Sequence, residues 1–112
     1  EAFIIMPKKN HRDSRLLLVK ECKKLNQKEF IRWCKLTRGI KKVLKSQRQI
    51  DIKIPSLYVM GAEDHIFLPS VRKSVSSFLK AQLSVIENSG HVVNIDQPNK
   101  FNDRVIKFLK SL

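Results

Sequence analysis

Two stretches constrain this chain most. One runs Ser56-Leu57-Tyr58-Val59-Met60-Gly61-Ala62-Glu63-Asp64, the other Leu83-Ser84-Val85-Ile86-Glu87-Asn88-Ser89-Gly90-His91. Each starts as an apolar, strand-type run and ends just past a glycine on a residue able to carry chemistry. Between them, Pro69 opens a segment reaching residue 80, with Val71, Val75, Phe78 and Leu79 along one helical stripe. A strand, a helix and a second strand in this order imply parallel strands joined by a crossover. Open parallel sheets collect their sites at the carboxyl ends of strands. Asp64 and His91 both fall there. Neighbouring parallel strands lie about 4.8 Å apart, so an acid and a histidine at adjacent ends come within hydrogen-bond reach.

The flanking segments extend this plan. Residues 2–6 form a short apolar run stopped by Pro7, as at the end of a buried strand. A helix is expected over 14–24. Asn26 then serves as an N-cap, with Glu29 three residues on. The helix that follows, from 27 to about 45, places Trp33, Leu36, Ile40 and Leu44 on one face and lysines and arginines on the other, with Gly39 as a weak point. Tyr58 and its neighbours do not alternate with polar residues, as in a strand covered on both faces. Pro98 opens a last helix with Phe101, Val105, Phe108 and Leu109 inward.

A chain of 112 residues builds one small domain. Its hydrophobic content of 42% and charged content of 29% are those of a globular chain, not a disordered one. No apolar run reaches membrane-spanning length. Cys22 and Cys34 make no disulfide framework. Buried free thiols in a reducing, cytoplasmic setting are the expectation. No zinc-type cluster is present, and no metal or cofactor is expected. The net charge of +13 is uneven: residues 1–50 hold fifteen lysines and arginines against four acids. Such a surface suits nucleic acid, an anionic membrane or an acidic substrate, and is also an ordinary solvated helical face.

An Asp after a glycine is commonly a turn residue, and an isolated Gly-His carries little. Linked in order, they say more. The run Ile54-Pro55-Ser56-Leu57-Tyr58-Val59-Met60-Gly61-Ala62-Glu63-Asp64 resembles the seventh strand and acid loop of the α/β-hydrolases. Ser89-Gly90-His91, with Pro98 and the helix led by Phe101, resembles their eighth strand, histidine loop and final helix. The resemblance covers residues 50–112. It implies that residues 1–7 correspond to the sixth strand, 8–49 to helices of a cap or lid, and 50–112 to the C-terminal core. The implied fold class is α/β: three parallel strands with flanking helices and a small helical cap.

By the same resemblance, Asp64 is the triad acid and His91 the general base and acid. The nucleophile belongs on a Gly-x-Ser-x-Gly elbow. With glycines only at 39, 61 and 90, this sequence has none. The expectation is therefore the C-terminal portion of a serine-type hydrolase or acyltransferase acting on ester-type bonds, inactive alone. Its partner is an acyl substrate, anionic or carrier-linked, with Phe30, Trp33 and Leu36 as candidates to line the acyl pocket. His11 and His65 are expected to be bystanders. The alternative is a binding protein whose basic half grips nucleic acid or an anionic surface, although few aromatics are present there to stack on bases. A strand edge left open at residues 2–6 would make the isolated chain self-associate.

Overall fold

The computed structural model of the chain describes residues 11–47 and 53–112. The expected strand at 2–6 lies outside them. Seven elements follow one another: α1 (Arg12–Cys22), α2 (Gln27–Gln47), β1 (Ser56–Gly61), α3 (Leu68–Val75), β2 (Ala81–Ile86), α4 (Val93–Asp96) and α5 (Pro98–Lys110). Among the described residues the sheet has two strands rather than three. They are parallel, with Ser56 opposite Ala81 and Gly61 opposite Ile86. This mixture of helices around a parallel pair is compatible with an α/β fold.

The register sets the site. Because Gly61 and Ile86 are paired at the same level, the chain leaves both strands at one end of the sheet. Ala62 continues the ladder by donating to the Ile86 carbonyl at 2.9 Å, and Glu63 donates to that of Ser89 at 3.0 Å. The core beneath is small: Leu68 and Val75 of α3, Ile86 of β2 and Val93 of α4 are buried. Both α3 and α5 contact both strands. On one side, Leu57 and Val59 face Phe101, Val105, Phe108 and Leu109 of α5 across a gap. The gap explains a difference from expectation. Residues 56–60 are half-buried, not sealed on both faces.

The helix α3 stops at Val75, five residues short of the expected end, and 76–80 turn back towards β2. The Phe78 amide donating to Val75 and the Ala81 amide donating to Phe78 close that turn. The start of α1 packs against α4, with Ser14 buried there. Asn26 caps α2 as expected, its Oδ1 accepting the amides of Lys28 at 2.9 Å and Glu29 at 3.4 Å. The Glu29 carboxylate accepts from Arg32 at 2.6 Å. Gly39 does not break the helix, which runs unbroken through it. Trp33, Leu36 and Ile40 are exposed, and the Leu44 side chain lies outside the described residues.

Cys22 and Cys34 are exposed as well, against the expectation of buried thiols. An amphipathic stripe buries its residues only where another element covers it. Removing the cap with Asn26→Ala is expected to destabilise α2 by about 1 kcal/mol. Far-ultraviolet circular dichroism against temperature would register this as an earlier loss of helix. No helix among the described residues is long and apolar enough to cross a membrane.

Candidate active site

Asp64 follows the last residue of β1 by three positions, in a turn it organises itself. Its amide donates to the Gly61 carbonyl at 3.2 Å, and its own carbonyl accepts from Leu68 at 3.1 Å. Its carboxylate works in two directions. Oδ1 accepts the Phe67 amide at 3.0 Å, fixing the entry into α3. Oδ2 lies 2.8 Å from Nδ1 of His91, although the two residues are 27 apart in sequence. An ionised carboxylate only accepts, so Nδ1 carries the proton in this pair. Nε2 is then the ring nitrogen available for proton transfer. The Asp64 side chain is 1% exposed, while that of His91 is 39% exposed. A sheltered acid therefore steers a histidine that reaches solvent.

His91 is delivered by a tight turn. Asn88 takes φ 60, the left-handed conformation that asparagine tolerates better than most residues. Its carbonyl accepts from the Gln97 side chain at 3.1 Å. Ser89 and Gly90 then pass directly over Gly61. A Cβ on Gly61 would lie 2.7 Å from the Ser89 carbonyl carbon and closer still to the carbonyl oxygens of Ser89 and Gly90. The glycine is there for space, since no glycine has positive φ among the described residues.

The structure thus brings together the two residues singled out from sequence, Asp64 and His91. His65, the neighbour of Asp64, points elsewhere and is exposed. Phe67 was not anticipated: its ring lies 4.7 Å from the His91 ring, tilted by 33°. The hydrogen bond from its amide to Asp64 and the ring contact with His91 make Phe67 a wall of the pair. Only the helical spacing after Asp64 hinted at it.

Of the three residues expected to line an acyl pocket, Phe30 alone lines a cavity among those described. Phe30 lines a cavity of about 290 Å³ with Cys22, Leu25 and Gln27, where α1 meets α2. Trp33 and Leu36 do not line it, and neither do Asp64 and His91. No grouping of His, Cys, Asp and Glu among the described residues could hold a metal ion.

Comparisons with known proteins match part of the chain. The chain is 31% identical over 75 residues, 65% of its length, to a Bacillus subtilis protein named an uncharacterized carboxylesterase, nap. It is 30% identical over 66 residues, 57% of its length, to a Rhizobium rhizogenes protein named a carbamate hydrolase, RutD. No protein-family model and no solved structure matches. The chain spans about 25% of the length of each of these relatives, and both are named as hydrolases.

Proposed function

We propose that this chain supplies the acid and histidine of a hydrolase of the α/β type, acting on ester or carbamate bonds. One observation carries the reading: Asp64 Oδ2 and His91 Nδ1 meet at 2.8 Å, past the ends of paired parallel strands. Asp64 holds the imidazole in the tautomer that leaves Nε2 unprotonated, and stabilises the imidazolium when it forms. Through Nε2, His91 takes the proton of the nucleophile as it attacks the acyl carbon. It then gives that proton to the leaving oxygen or nitrogen. Water repeats the cycle on the acyl intermediate.

The nucleophile, a serine on a glycine-flanked elbow, comes from polypeptide beyond these 112 residues, and so do the amides that stabilise the oxyanion. The names of the relatives support bond type and nothing finer. The exposed bases Arg12 and Lys20 of α1 and Lys28, Arg32 and Lys35 of α2 support an anionic or carrier-linked acyl substrate.

The test is hydrolysis of a neutral and an anionic aryl ester by the longer protein carrying this chain, at low and high salt. Turnover of both, with only the anionic ester losing rate as salt rises, is the expected result. Identical salt responses would remove the anionic preference. No turnover of either ester or of an aryl carbamate would remove the hydrolase reading. Retention of nucleic acid with a steep salt slope in its place would select the binding-protein alternative.

A further inference from the structure

Glu63 and Asp64 are consecutive, and each meets a histidine. Behind the Asp64–His91 pair, Glu63 Oε2 lies 2.7 Å from Nε2 of His11. His11 is wholly buried. The contact has the distance of an ion pair without the alignment of a hydrogen bond. Asp96 completes the group. Its Oδ2 accepts the Gly90 amide at 2.8 Å and lies 4.0 Å from His11 Nε2. Its Oδ1 accepts from Ser14 Oγ. The Asp96 side chain is 1% exposed and Ser14 is 3% exposed.

We infer that Asp96 is a positioning residue for His91, and that α1 anchors it through Ser14. The inference rests on the proposed function only in taking His91 as the group that matters. Gly90 immediately precedes His91 and has the freest backbone in the loop. A buried carboxylate on its amide fixes the Ser89–Gly90 peptide plane, one residue before His91. Such charge-assisted bonds are among the stronger hydrogen bonds.

Asp96 is itself held rigidly, its amide donating to Val92 at 3.0 Å while the Gln97 amide donates to Val93 at 2.8 Å. Pro98 then starts α5. One oxygen of Asp96 therefore faces the histidine loop and the other faces α1. The first helix and the loop share one carboxylate through its two oxygens, so a shift of α1 is felt at the histidine loop.

The test uses the 112-residue chain and three variants: Asp96→Ala, Asp96→Asn and Ser14→Ala. Nuclear magnetic resonance follows the His91 Nδ1 proton and the exchange rate of the Gly90 amide. The amides of β1 and β2 serve as a fold control. In Asp96→Ala the Gly90 amide is expected to exchange about tenfold faster or more. The His91 Nδ1 signal is expected to broaden away while the strand amides stay protected.

Asp96→Asn keeps one acceptor oxygen for two donors and should fall between. Ser14→Ala should loosen Gly90 by less. Wild-type behaviour of Gly90 and His91 in both Asp96 variants overturns the inference. Equal loss of protection across β1, β2 and the loop in every folded variant overturns it too, because the role is then only structural. If Asp96→Ala does not fold, the other two variants decide by the same criteria. An inactive longer protein with these signals intact would refute the hydrolase reading and leave the positioning role standing.

Discussion

Replacing Gly61 with alanine is expected to break the site and much of the fold with one methyl group. The added Cβ would lie 2.7 Å from the Ser89 carbonyl carbon and nearer still to two carbonyl oxygens. These are backbone atoms, and they cannot swing aside as a side-chain tip can. The Glu63 amide bonded to Ser89 and the Ala62 amide bonded to Ile86 hold the two segments together on either side of the clash. Relief therefore means separating the acid loop from the histidine loop, with loss of those bonds and of the 2.8 Å contact between Asp64 and His91. Overpacking of this kind costs about 3 kcal/mol or more where the neighbours cannot yield. A domain this small has little more than that to lose. Urea unfolding would show the midpoint collapse, and the His91 Nδ1 proton signal would vanish with it. Near wild-type stability would mean that the loops do not approach as closely as described.

Asp64→Asn is expected to lower kcat of the longer protein by about ten-thousand-fold while leaving the fold close to intact. The reason is the direction of its hydrogen bonds. Oδ1 already accepts the Phe67 amide, so an asparagine would keep its oxygen there and turn its amide group towards His91. Nδ1 of His91 would then have to accept, and the proton would move to Nε2. A histidine protonated at Nε2 cannot serve as base from that nitrogen.

His91→Ala removes the base altogether and should cost at least as much. The double variant should be scarcely worse than His91→Ala, because residues acting as a unit do not contribute additively. KM should change little in any of them, since neither residue is asked to bind substrate. Steady-state kinetics on one aryl ester would settle it. An Asp64→Asn enzyme within tenfold of wild type would rule out a triad role for this acid.

The parts of the site legible in the sequence are those carried by local grammar. Pro55 before a strand, glycine then Asp64, Pro69 before a helix, Gly90-His91 and Pro98 before the last helix are punctuation with fixed backbone consequences. They are enough to place Asp64 and His91 at strand ends. Asn26 is equally local: its side chain reaches amides two and three residues away. Exposure is not legible from residue type alone. Cys22 on α1 and Cys34 and Trp33 on α2 are exposed, and periodicity cannot say whether a stripe finds a partner.

The sequence by itself determined the strand-helix-strand order, the parallel pairing and the positions of Asp64 and His91 past the strand ends, because these follow from short-range backbone preferences and hydrophobic runs. Only the tertiary structure decided that Glu63 lies against His11, that Asp96 joins Gly90 to Ser14 across 82 positions of sequence, and that Phe67 walls His91. The reason is physical. A histidine at position 11 and an aspartate at position 96 have nothing in their own neighbourhoods to set them apart from solvent-facing residues. Their roles arise when the paired strands bring both loops to one end of the sheet, and burial then obliges each polar group to find a partner.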